Sequence, residues 1–473
     1  MKKYDTIVVG SGSGMEFVDK ALSHEESVAL VDKGPLGGTC LNLGCIPSKM
    51  LIFPADRIMQ IRESKKLGID VEISNIDFKS IMERMKDTIS KDREGMEKGI
   101  QNNKDIDYYD EKGEFVDDYT LKLESGKKIK GKKIFLVSGS RPLIPKIKGI
   151  KDVEYLTNET LLELKEKPES LIIVGGGYIA AEYGHFFDAM GTEVTILQRN
   201  EKIIPNEEPE ISDMLKKQMK ERMSIETNME VIEVKKENDE IIVFGKDTEI
   251  NEEKKFKAKK VMIATGRRSN ADLLKVENTG VDTDKRGFIK VNDKWETSKE
   301  NIWALGDATG KQMFKHKANR EAAFCAQNVY HGKEKTINYD TTPHAIFSHP
   351  QIASVGLKEK EAKEKYGKEE ILVGGAEYLD VAKGEAMMED CGFVKTVLNK
   401  RGKILGFHII GPHAPILIQE VVNVIAKSGD IWDVSDGMHI HPALSELVLS
   451  ALQPKQRETL KTKFVCKERG NEP

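Results

Sequence analysis

Four β-branched residues at 6–9 run straight into Gly10-Ser11-Gly12-Ser13-Gly14, and after a helical stretch a second apolar run, 28–31, stops at Asp32. That order predicts a strand, a tight turn, a helix and a second strand. Helical patterning then covers 47–65 and 78–102, and short strands lead to 134–137, which enter Ser138-Gly139-Ser140-Arg141-Pro142. A connector rich in Pro, Lys and Gly marks a boundary near residue 148. Beyond it the pattern repeats, with a strand at 171–174, a turn at Gly175-Gly176-Gly177, a helix over 178–190 and a strand at 194–197. Hairpin-like strands over 226–260 lead to a closing run that ends at Gly266, and a further strand, 302–307, ends in Asp307. From 337 onward, strands at 345–355, 393–399 and 404–410 alternate with helices at 415–427 and 443–452.

The predicted class is α/β, with two dinucleotide-binding (Rossmann-like) domains followed by a C-terminal α+β domain. The first domain is expected over 1–148 and 270–336, the second over 149–269 and the third over 337–455, leaving a polar tail at 456–473. A length of 473 residues suits roughly three domains. Lys plus Arg (74) nearly balances Asp plus Glu (78), so no general attraction to nucleic acid or to an anionic membrane follows. No apolar run is long enough to span a bilayer, and Asp5 with the glycines from Gly10 interrupts any signal-like segment. Five cysteines are too few for an extracellular disulfide scaffold, so a cytoplasmic protein is expected.

Cys40 and Cys45, separated by four residues, follow closely on the first glycine turn. Metal sites built from paired cysteines use shorter intervals and a second cysteine or histidine pair, so a redox-active disulfide is expected and a metal is not. In the first turn Gly10 allows the bend and Gly12 the close approach of a pyrophosphate, while Asp32 can accept ribose hydroxyls. The third glycine is expected at position 15, which holds Met15, with Gly14 just before it. In the second unit Gly175, Gly177 and Ala180 take the three roles. Its second strand ends in Gln198-Arg199 where an NAD-selective site carries an acid. A carboxylate there repels a 2′-phosphate and Arg199 can pair with one, which favours NADPH over NADH.

Two nucleotide units, the spaced cysteine pair and the C-terminal His441-Pro442-Ala443-Leu444-Ser445-Glu446 together resemble the class I pyridine nucleotide-disulfide oxidoreductases. That family contains the dihydrolipoamide dehydrogenases, glutathione reductases, mycothione reductases and mercuric reductases. The resemblance implies FAD held by Gly10, Gly12, Gly14, Asp32, Ser138, Gly139 and Asp307. It implies a nicotinamide nucleotide held by Gly175, Gly177, Tyr178, Ala180, Gln198, Arg199 and Gly266, with Tyr178 as the aromatic lid. Lys49 matches the family lysine near the flavin and Glu182 its carboxylate partner. Cys45 then faces the flavin, Cys40 exchanges with substrate, and His441 with Glu446 is the acid–base pair, supplied across a homodimer interface.

The expected activity is NADPH-linked reduction of a low-molecular-weight disulfide. Gly10 to Gly14, Lys315 to Asn319 and Asp380 to Gly384 lie closest to the mycothione reductases. The alternative is an NAD-linked dihydrolipoyl dehydrogenase, whose partner would be a lipoyl domain of a 2-oxoacid dehydrogenase complex. A non-catalytic flavoprotein subunit ranks lower. So does a mercuric reductase, because Cys466 stands alone where a C-terminal cysteine pair belongs.

Overall fold

The structure, a computed structural model, describes residues 1–453. The tail predicted at 456–473, with Cys466, lies outside the described residues. In the first sheet the strands run in the order Ile106–Asp110, Val28–Asp32, Lys2–Val9, Lys128–Leu136, Thr120–Leu123 and Gly113–Asp117. A seventh strand, Ile302–Ala304, arrives from far along the chain and pairs parallel with Lys128–Leu136, placing Ile302 opposite Ile134. Both neighbours of the central strand Lys2–Val9 are parallel, which buries the strand on two faces and explains its continuous apolar run. Phe17 stacks on Phe135 at 3.9 Å and Trp303 on Phe135 at 5.1 Å, closing one face.

The second unit is a parallel sheet in the order Ser224–Glu226, Glu193–Leu197, Ser170–Val174, Lys260–Ile263 and Tyr155–Leu156. The predicted hairpins are a three-stranded antiparallel sheet of Met229–Glu237, Glu240–Asp247 and Glu253–Ala258. The C-terminal sheet is antiparallel throughout, in the order His344–Ile346, Ile352–Gly356, Ile404–Ile410, Phe393–Asn399 and Ile371–Glu377. The single strand predicted over 345–355 is therefore two, divided by a turn at Ser348-His349-Pro350-Gln351, because proline has no N–H to give a ladder.

One apolar interior ties these parts to the cysteine loop. The helix Cys45–Glu63 sends Leu51, Ala55 and Ile58 against Phe186 and Phe187 of the helix Tyr178–Ala189, and Ile346, Ile352 and Phe393 join from the C-terminal sheet. Each fully buried phenylalanine contributes about 2–3 kcal/mol of transfer free energy, enough to hold the two helices in one register. That register decides which side chains meet at the site.

Candidate active site

The first glycine turn is built by steric necessity. Gly10 has φ +106°, and a Cβ there would lie 2.2 Å from the carbonyl oxygen of Val137. A Cβ on Gly14 would lie 2.1 Å from the oxygen of Gly10, so the close helix–strand contact expected at position 15 is made one residue earlier. Met15 is instead the first residue of the helix Met15–Ser23, half-buried against its core. Gly12 faces open space, leaving backbone accessible where a phosphate approaches.

Asp32 accepts from the Ser11 N–H at 2.7 Å and from the Ser11 hydroxyl at 2.6 Å, and its other oxygen accepts from the Gly34 N–H at 3.2 Å. Ser11 Oγ in turn accepts from the Gly37 N–H at 3.0 Å. This network folds the chain after the second strand back onto the turn. Asn42 completes it, donating to the carbonyls of Pro35, Leu36 and Gly38. Sequence reasoning passed over Ser11 and Asn42, because a hydroxyl or amide that pins a loop carries no periodic signal.

The loop presents Cys40 in the short helix Gly38–Asn42 and Cys45 as the first residue of Cys45–Glu63. Both are free thiols, joined by a hydrogen bond. The bond from Cys40 is the chief influence that lowers Cys45 to about 7; burial opposes it and Lys49 assists. Cys40, which holds the shared proton, is pushed far above the ordinary thiol range by that bond and by burial, with Lys315 pulling the other way. A thiolate at Cys45 with a protonated neighbour is chemistry-ready sulfur at neutral pH. Cys325 is buried and its thiol pushed up by desolvation, which suits an inert structural thiol. Cys391 is half-buried and accepts a hydrogen bond from Gln218.

Lys49 Nζ lies 2.7 Å from Glu182, although the two are 133 positions apart in sequence. Lys49 also sits 4.3 Å from the ring centre of Phe347, whose N–H donates to the other Glu182 oxygen at 3.0 Å. Near the end of the strand Lys128–Leu136, the Ser138 hydroxyl is buried with no partner, and Gly139, at φ +67°, faces open space. Asp307 accepts from Ser140 Oγ at 2.6 Å and lies 3.8 Å from Arg267 Nε, another residue the sequence did not flag. An open phosphate turn, an acid at the strand end, an unsatisfied buried hydroxyl and a second acid across the sheet are the groups a dinucleotide such as FAD needs. The residues fit it.

In the second turn Gly175 has φ +112°, and a Cβ would meet the Ala264 oxygen at 2.4 Å; Gly177 and Gly266 face open space, and Ala180 is buried. Gln198 turns inward against Gly176 and donates to the Lys202 carbonyl at 3.0 Å. Arg199 points outward, 68% exposed and 3.8 Å from Glu230. Tyr178 begins its helix beside this turn, its hydroxyl bonded to Glu207 at 2.7 Å.

His441 Nδ1 donates to Glu446 at 2.9 Å, and the Ala443 N–H donates to the other carboxylate oxygen at 3.1 Å. The His441 bond, then the Ala443 N–H, holds the Glu446 carboxyl below its usual range. Among the described residues, no hydrogen bond or ion pair joins this pair to Cys40, Cys45, Lys49 or Glu182. His441 is 72% exposed, beside Ile440 at 76% and Met438 at 100%, and Trp432 and Ile416 are exposed elsewhere in the same domain. Bare apolar side chains of this size, clustered in one stretch of the chain, are typical of an interface.

Residues 4–322 match the family model for pyridine nucleotide-disulphide oxidoreductases, and residues 342–452 match that family's dimerisation domain. The chain belongs to this family. Mycothione reductase of Mycobacterium tuberculosis is 32% identical, covering 96% of this chain and 99% of the relative. Dihydrolipoyl dehydrogenase of Geobacillus stearothermophilus is 34% identical, covering 95% of each. The HOCl-induced flavoprotein disulfide reductase RclA of Escherichia coli, solved as a Cu(II) complex, superposes with a TM-score of 0.84 at 26% identity, covering 96% of this chain and 99% of that one. The chain is thus a disulfide oxidoreductase acting on sulfur, of a family that uses FAD and a nicotinamide nucleotide. Among the described residues no helix is long and apolar enough to cross a membrane, and no group of three or more His, Cys, Asp or Glu could hold a metal ion.

Proposed function

We propose that this oxidoreductase runs as an NADPH-linked reductase of a low-molecular-weight disulfide, as a homodimer. The observation that carries the NADPH preference is the strand end of the second unit, where Gln198 is turned inward and an exposed Arg199 stands in place of an acid. A guanidinium beside a 2′-phosphate forms a charge-assisted bidentate pair that NADH cannot make. FAD, when bound, supplies the two-electron link between the nicotinamide nucleotide and the Cys40–Cys45 sulfurs.

The sulfur steps follow from where the proton sits. Cys40 holds it, so Cys40 becomes a nucleophile only when a base removes it, and His441 of the partner subunit, oriented by a glutamate, is that base. The Cys40 thiolate attacks one sulfur of the substrate disulfide, forming a mixed disulfide and expelling one thiolate, which takes the imidazolium proton. Cys45 then attacks the Cys40 sulfur, releases the second substrate thiolate and closes the Cys40–Cys45 bond. Lys49, held by Glu182, stands beside Cys45 and favours its thiolate. The cysteine loop and His441–Glu446 suit dihydrolipoyl dehydrogenase equally well, and 34% identity to such an enzyme keeps that reading in play. Steady-state kcat/KM for NADPH and NADH, against lipoamide and a panel of small thiol disulfides, separates the two. NADPH preferred by at least about tenfold with a small disulfide supports the proposal. Efficient NAD-linked oxidation of dihydrolipoamide overturns it.

A further inference from the structure

Glu207 lies in the connection between the strand Glu193–Leu197 and the helix Pro209–Lys220, and its carboxylate is 1% exposed. One oxygen accepts from Tyr178 Oη at 2.7 Å and from His344 Nε2 at 2.7 Å; the other accepts from Ser354 Oγ at 2.7 Å. His344 and Ser354 are cross-strand partners on the C-terminal sheet, so two adjacent side chains of that domain grip a carboxylate of the nucleotide domain. Burial alone would raise the Glu207 carboxyl, yet these three donors outweigh it and hold it down at about 2. The Tyr178 ring stacks 5.8 Å from His344 and 6.2 Å from Phe314, and the last two rings lie 5.3 Å apart and 4° from parallel. Tying Glu207 to the C-terminal sheet needs only His344 and Ser354. The third bond goes to the residue at the mouth of the nicotinamide site.

We propose that Glu207 is the latch of the nicotinamide lid, a buried carboxylate fixed by His344 and Ser354 that keeps Tyr178 closed until its hydroxyl lets go. The inference rests on the reading of Tyr178 as that lid. A ligand that binds only the open form has its affinity reduced by the fraction of protein that is open. A hydrogen bond to a charged acceptor shifts such an equilibrium by about 10- to 100-fold.

The test is titration of the oxidised holoprotein with NADP⁺ and with NAD⁺, read by flavin fluorescence. Tyr178→Phe keeps the ring and removes the donor; nucleotide affinity should rise about tenfold or more. Glu207→Gln keeps the shape, removes the charge and should move affinity the same way. Unchanged affinity in Tyr178→Phe overturns the latch, as does a Glu207→Gln protein that loses thermal stability alone. Tyr178→Ala separates the two levels of the argument. If it alters affinity and fluorescence while Tyr178→Phe does not, the lid stands and only the latch falls. If it alters neither, the lid reading fails and the latch with it.

Discussion

Removing one thiol should retune the other. In Cys40→Ala the hydrogen bond that chiefly lowers Cys45 disappears, while burial, which raises it, and Lys49, which lowers it more weakly, remain. Cys45 should therefore climb from about 7 to at least the ordinary cysteine value, about 8.5. At neutral pH its thiolate fraction then drops from about one half to a few per cent, roughly a 15-fold loss. The direct assay is ultraviolet thiolate absorbance of the reduced protein against pH. Subtracting the curve of Cys40→Ala/Cys45→Ser protein isolates Cys45, since Cys40 ionises far above the range scanned. Alkylation rate is a blunter probe, because a more basic thiolate is also the stronger nucleophile and offsets part of the loss. A midpoint that stays near 7 in Cys40→Ala would refute the shared-proton account and assign the low value to Lys49 and the start of the helix.

Three further outcomes follow. Asp32→Ala removes the acceptor for both the N–H and the hydroxyl of Ser11; the flavin-to-protein absorbance ratio after dialysis should collapse, and stability should fall by about 1–3 kcal/mol in a denaturant melt. Met438→Asp sets a charge in the exposed apolar face and should raise the dimer dissociation constant by about 100-fold or more, read by analytical ultracentrifugation. His441→Gln should slow disulfide turnover by about 10²- to 10⁴-fold, while the rapid phase of flavin reduction by the nicotinamide nucleotide keeps its wild-type rate in stopped flow.

Much of this architecture is legible in the chain because it repeats short strong patterns. The β-branched run at 6–9 and the apolar run at 171–174 each enter a glycine turn, and parallel strands covered on both faces need no alternation. The Cys40–Cys45 loop is equally plain, since its spacing is local. What stayed hidden is non-local or unperiodic. Lys49 and Glu182 meet only because Leu51 and Ala55 fix one helix against Phe186 and Phe187 of another, and only family resemblance flagged the pair. Glu207 and His344 sit in stretches where one polar residue reads like its neighbours. Gly14 was displaced by one position from its expected place because spacing was read without the carbonyl of Gly10 that excludes a side chain there. The turn at Pro350 cut a strand that hydropathy alone drew as continuous.

The central claim is that electrons pass between a bound flavin and the paired sulfurs of Cys40 and Cys45. Anaerobic reductive titration of the holoprotein, followed by visible absorbance, tests it most directly. Wild-type protein should take up two electrons for the flavin and two more for the disulfide, and the Cys40→Ser/Cys45→Ser protein only the first two. Wild-type protein that is fully reduced by two electrons per flavin, the same as the double variant, would contradict it.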